Sequence, residues 1–123
     1  MPFKQPWSVV SAATLLTLAA AGAQAEMPEM ELNGNVEAGK EVALDRSRGN
    51  CIACHVMPDG EAPGAIGPAL VAMQTRYPSK ADLAVQIWDP TIKDPGVVMP
   101  PFGKHGILSD KEFIDVVEYI WSL

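Results

Sequence analysis

Cysteine and histidine are scarce in this 123-residue chain, which has two of each. That scarcity excludes a fold stapled by disulfides, because the one possible bridge, Cys51 to Cys54, closes too short a loop to hold elements together. Basic residues are also few. Nine Lys and Arg stand against 15 Asp and Glu, giving a formal net charge of −6, and such a chain repels the phosphates of nucleic acid. No apolar run is long enough to span a bilayer comfortably. There is almost no strand pattern around the cysteines, and no repeat, linker or low-complexity block divides the chain beyond its first quarter.

The first quarter reads as an export signal. Lys4 precedes an uncharged apolar run, Val9 to Ala21, and Ala23-Gln24-Ala25 supplies the small-x-small pattern that signal peptidase accepts. Cleavage after Ala25 is expected, leaving residues 26–123 as one periplasmic domain without a membrane segment; the alternative is an uncleaved N-terminal anchor. All 15 acidic residues lie beyond Ala25. The acidic surface suits solubility and permits docking to a basic protein face.

What is present is concentrated in Asn50-Cys51-Ile52-Ala53-Cys54-His55. An exported Cys-x-x-Cys can be a redox dithiol, but that reading needs a βαβ context. A zinc site would need Cys51, Cys54, His55 and His105 together, with two of its ligands adjacent in sequence. Cys-x-x-Cys-His is instead the attachment signature of c-type haem. Cysteines three apart on one helical turn face the same side, so both thiols can add to the vinyl groups along one haem edge. The histidine that follows reaches under the ring as proximal iron ligand. Thioether attachment takes place outside the cytoplasm, which the export signal independently requires.

The second axial position decides the chemistry of such an iron. Met57 lies too close to His55 to reach the opposite face, and Met27 and Met30 sit in the polar start of the mature chain. Met73, Met99 and His105 remain. Met99 stands in Asp94-Pro95-Gly96-Val97-Val98-Met99-Pro100-Pro101-Phe102-Gly103, where prolines hold an irregular loop extended. A rigid loop aiming a soft sulfur makes Met99 the expected distal ligand. Met73 reads as a core residue and His105 as a surface one.

The remainder reads as all-α. Asn35 can cap a first helix, with Glu37 in its first turn, Val36, Val42 and Ala43 apolar, and an end near Gly49. Ser79-x-x-Asp82 opens a second helix that places Leu83, Ile87 and Trp88 on one face and stops at Pro90. Ser109-x-x-Glu112 is a capping box, with Leu108 placed to staple onto Phe113. Phe113, Val116, Val117, Ile120 and Trp121 then recur at helical spacing.

This order of haem motif, methionine loop and closing helix resembles class I cytochrome c. The resemblance implies one domain wrapped around a covalent haem c, with the first and last helices crossing at Gly39 against Val116, Tyr119 and Ile120. It also implies that the Pro68 carbonyl of Gly67-Pro68 accepts the proximal histidine's N–H. The segments GNCIACH, IGPAL, QIWDP, VMPPFGKHGILS and VVEYIWSL, in this order, further resemble the SoxX family, the monohaem subunits of SoxAX sulfur-oxidation cytochromes. Met99 is then the distal ligand. The implied role is electron relay in a heterodimer with a SoxA-like cytochrome, whose cysteine-ligated haem couples thiosulfate to a cysteine of the SoxYZ carrier. A small soluble cytochrome would be the acceptor. Ile52, Ala53, the Ala62 to Pro68 loop and the Val97 to Phe102 loop are expected to form the interface. The alternatives are a freely diffusing carrier, and a peroxidase or gas sensor with an open distal site.

Overall fold

In the computed structural model, which describes residues 26–123, Asn35, Ser79 and Ser109 each start a helix, as their side chains predict. The expected export signal, residues 1–25, lies outside the described residues. Four helices follow in order: α1 (Val36–Leu44), α2 (Met73–Arg76), α3 (Lys80–Trp88) and α4 (Asp110–Ser122), with 3₁₀ turns at Cys51–Ala53 and Pro90–Ile92. The described residues contain no strand. None of their helices is long and apolar enough to cross a membrane.

The caps account for where the helices begin. Asn35 Oδ1 accepts from the Ala38 amide at 2.9 Å. Ser109 Oγ accepts from the Glu112 amide at 3.4 Å, while Glu112 Oε2 accepts from the Ser109 amide at 3.0 Å, so the capping box closes both ways. Leu108 and Phe113 are both buried beside it. One boundary differs from expectation. α1 ends at Leu44 rather than near Gly49, because the Asp45 carboxylate takes the Ser47 amide, the Ser47 hydroxyl and Arg48 Nε at 2.6 to 2.8 Å. A side chain that satisfies backbone donors locally competes with helix continuation. The one-turn helix α2 has no cap or period that the sequence could display.

α1 and α4 cross closely, and Gly39 is the reason they can. A Cβ at Gly39 would stand 1.9 Å from the Asp115 carbonyl oxygen and 2.9 Å from Tyr119 Cβ. The nearest atoms belong to Asp115 and to Tyr119, the latter one of the three residues expected there; Val116 and Ile120 share the core with Val42 and Ala43 of α1. Asp115 is a buried polar residue that the apolar period conceals. Its Oδ1 accepts from the Asn35 amide at 2.8 Å and its Oδ2 from Lys111 Nζ at 2.5 Å. Burial pushes its carboxyl up, but these donors outweigh burial and hold it below the usual range.

The core runs from Val42 and Ala43 of α1 through Leu83, Ala84 and Ile87 of α3 to Phe113, Val116, Val117 and Ile120 of α4. The Trp88 and Phe113 rings meet edge to face with centroids 5.4 Å apart. Met27, Met30 and Leu32, from the irregular start, pack on this core too. Asp59, in the loop after the haem motif, pairs with Lys40 of α1 at 3.0 Å and accepts from the Tyr119 hydroxyl of α4 at 3.2 Å. That loop is thereby tied to both crossing helices.

Candidate haem site

Between the motif turn, the loop after it and the segment after α3 lies a cavity of about 680 Å³, in the size range of cofactor sites. Cys51, Cys54, His55 and Met99 all line it, with Leu70, Ile87 and Phe102 supplying apolar wall. Residues far apart in sequence thus share one chamber. Met73 also lines it but is buried at 2 % exposure, with its sulfur facing Arg76 Nη1 at 3.7 Å. His105 is exposed and is not part of the lining.

The motif is wound as its spacing predicts. The His55 amide donates to the Cys51 carbonyl at 3.0 Å, closing one turn that sets both thiols and the imidazole toward the cavity. The turn is entered through Asn50 at φ 48°, in the left-handed region, which asparagine tolerates better than most residues. The following loop folds back on the motif through the Gly64 amide to the Ile52 carbonyl at 2.9 Å and the Gly67 amide to the Cys54 carbonyl at 2.8 Å.

His55 Nδ1 lies 2.7 Å from the Pro68 carbonyl oxygen. A carbonyl can only accept, so Nδ1 carries the proton and Nε2 keeps its lone pair for a metal. Gly67 lets the backbone lie against this ring, since a Cβ there would stand 2.4 Å from His55 Cε1. A carbonyl on the far nitrogen fixes ring orientation and raises ligand basicity. The Gly67-Pro68 pair therefore does what the resemblance implies.

The other readings of the cysteines lose support. Burial pushes the Cys51 thiol up to about 11. A redox dithiol needs the opposite shift. No group of three or more His, Cys, Asp or Glu among the described residues is gathered for a metal ion, and His105 stands away from Cys51, Cys54 and His55. A haem fits the remaining features. Arg46, Arg48 and Arg76 line a cavity in an otherwise acidic chain and suit the carboxylates of such a group. Asn50, whose side-chain amide oxygen lies buried on the wall without a partner among the described residues, adds a polar group at the same cavity.

Two of the expected interface residues are corrected. Ile52 is 4 % exposed and Phe102 is 9 % exposed, so both belong to the core and not to a docking surface. Gly60 packs over the Ile52 side chain, which covers it. Ile66 and Val98, by contrast, line the cavity and are 75 % and 78 % exposed.

Helices without a strand among the described residues, around a chamber lined by Cys-x-x-Cys-His, define a c-type haem domain. The chain belongs to the cytochrome c family, whose profile ("Cytochrome c") matches residues 36–123, and that family implies a covalently bound haem c. It is similar to a chain in the crystal structure of SoxXA from P. pantotrophus, at 28 % identity and TM-score 0.65, covering 72 % of this chain and 81 % of that one. It is also 35 % identical over 74 residues to an uncharacterized lipoprotein of Aquifex aeolicus (strain VF5), covering 59 % of this chain and 36 % of that protein. The chain thus spans little more than a third of that relative. Family and structure together bear out the reading of a SoxX-like monohaem cytochrome.

Proposed function

We propose that this chain is the electron-transfer subunit of a SoxAX-type complex that couples thiosulfate oxidatively to a carrier-protein cysteine in periplasmic sulfur oxidation. The observation that carries the reading is the His55 Nδ1 contact with Pro68, in a cavity shared with Cys51, Cys54 and Met99. Cys51 and Cys54 are the residues for thioether attachment, His55 is the proximal ligand and Met99 the distal one. The bound haem would supply reversible one-electron transfer. His55 and Met99 would set its potential, a thioether favouring the ferrous state more than a second imidazole does. The sequence holds no third cysteine, so this chain supplies neither a cysteine ligand to a catalytic iron nor a covalent sulfur intermediate. Those belong to the SoxA-like partner, with SoxYZ reached through the assembled complex and a small soluble cytochrome as acceptor.

Export with cleavage after Ala25 belongs to the same reading, and N-terminal sequencing of the periplasmic protein should begin at Glu26. The functional test is reconstitution. Thiosulfate and SoxYZ should reduce this chain's haem only when the SoxA-like partner is present. Equal reduction of the isolated chain would overturn the relay assignment. A chain that never associates with a larger cytochrome would leave the freely diffusing carrier as the better reading.

A further inference from the structure

The segment that carries Met99 leaves the fold at Asp89 and rejoins it at Lys104, and these two residues are bonded to each other. Asp89 caps the 3₁₀ turn after α3 and is only 2 % exposed. Its Oδ1 accepts from the Thr91 amide at 3.1 Å and from the Thr91 hydroxyl, and its Oδ2 accepts from Lys104 Nζ at 2.5 Å. Two backbone bonds close the same base: the Phe102 amide to the Ile87 carbonyl and the Lys104 amide to the Trp88 carbonyl, both 3.2 Å. Gly103 lies between them against the face of the Trp88 ring.

Beyond this base, over residues 91–100, the segment's hydrogen bonds are to itself, and its other ties include the buried Pro90, Lys93 over the Tyr77 ring at 5.1 Å and Met99 against the core. The Val97 amide donates to the Asp94 carbonyl at 3.0 Å and the Gly96 amide to Asp94 Oδ1 at 2.9 Å. The Val98 and Met99 amides make no hydrogen bond among the described residues. Pro100 and Pro101 stiffen the return to Phe102 but anchor nothing. With no hydrogen bond to the rest of the fold over that stretch, the segment places Met99 according to how firmly its ends are held, aided by its packing on the core. A buried carboxylate whose oxygens are both engaged is directional, and removing its charged partner leaves a buried charge undercompensated.

We propose that the Asp89–Lys104 ion pair positions the Met99 loop, holding the thioether at the cavity and thereby setting how readily the distal side opens to another ligand. This rests on Met99 being the distal ligand. Asp89 and Lys104 act through the loop and touch neither the cavity nor its contents, since neither residue lines it.

The test uses the haem-loaded ferric protein, its near-infrared sulfur-to-iron charge-transfer band, and the rate at which imidazole enters the distal position. Lys104→Gln should raise that rate by at least ~10-fold, as for a buried pair that loses one partner, and Lys104→Arg should restore most of the slow entry. Asp89→Asn should behave like Lys104→Gln. Lys80→Gln is the control, because Lys80 bonds Glu118 at 2.6 Å between α3 and α4, away from the loop. It should lower the melting temperature without changing imidazole entry. The proposal is overturned if Lys104→Gln binds imidazole at the unmodified rate, or if Lys80→Gln accelerates entry equally. A protein without the band, indifferent to Met99→Ala, would overturn Met99 as ligand and the clamp with it. A normal band with unchanged entry in Lys104→Gln would overturn the clamp alone.

Discussion

At the scale of single residues, the site rests on which atoms are left free. Nδ1 of His55 is committed to Pro68, so Nε2 is the available ligand, and the two thiols lie one turn away. Replacing both Cys51 and Cys54 with alanine should leave no haem that survives acid-acetone extraction, because thioether bonds rather than ligation would be lost. Haem retained after extraction would contradict the assignment. Asp115 gives a second residue-scale expectation. Asp115→Ala orphans the Asn35 amide and should cost about 1–3 kcal/mol by denaturant unfolding. Its pH signature follows from sign. The folded carboxyl is held below its ordinary value, so its contribution is present above about pH 4, the unfolded carboxylate range, and is lost as pH falls through the lower folded value. Asp115→Asn should therefore flatten part of the acid limb of a melting-temperature profile; an unchanged limb would assign it elsewhere. The Cys-x-x-Cys-His motif is legible in the sequence because its chemistry fixes its spacing, and Pro68 only through the family resemblance. Asp115 is not, because its partner amide lies 80 positions away.

Among the helices, legibility tracks how local the cause is. α4 carries its capping box, its period and its staple within its own residues, and it forms where they predict. α1 shows its start in Asn35 but hides its end, since Asp45 could equally have continued the helix or bonded Ser47. α2 is one turn set by its surroundings: the Ala72 amide donates to the Leu123 carbonyl at 2.7 Å and Gln74 Nε2 to the Trp121 carbonyl at 3.1 Å. The crossing of α1 and α4 is readable as a position, Gly39, but its depth is a tertiary fact. Gly39→Ala should separate the helices, because the obstacle at 1.9 Å is backbone and cannot rotate away. Overpacking of this kind costs about 1–3 kcal/mol or more. Ser109→Ala, which removes only a cap, should cost ~1 kcal/mol. Chemical denaturation of both variants checks the order; a milder Gly39→Ala would mean the crossing has slack.

For the whole molecule, the question is how an electron reaches a group held inside an acidic chain. The sequence marks the loops around the haem edge as the route, but only the fold separates residues that pack inward from those that protrude. Ile52 and Phe102 turn into the core, whereas Ile66 and Val98 line the cavity from two different loops, each about three-quarters exposed. Large apolar side chains this exposed, on two stiff proline-bearing loops, lose little entropy on docking and gain by being covered. Ile66→Asp and Val98→Asp should each weaken association with the SoxA-like partner by about tenfold or more, the effect of truncating an interface anchor. Both should leave the melting temperature near that of the unmodified protein, because neither side chain is buried. Val36→Asp offers the comparison, an exposed valine on α1 away from the cavity. Because the surface involved is apolar, the complex should persist at salt that screens charges beyond about 8 Å. Size-exclusion of each variant with the partner, at low and at physiological salt, reads all of this at once. If Ile66→Asp and Val98→Asp co-elute as the unmodified chain does while Val36→Asp does not, the partner approaches α1, and electrons must enter by a longer path than the cavity mouth.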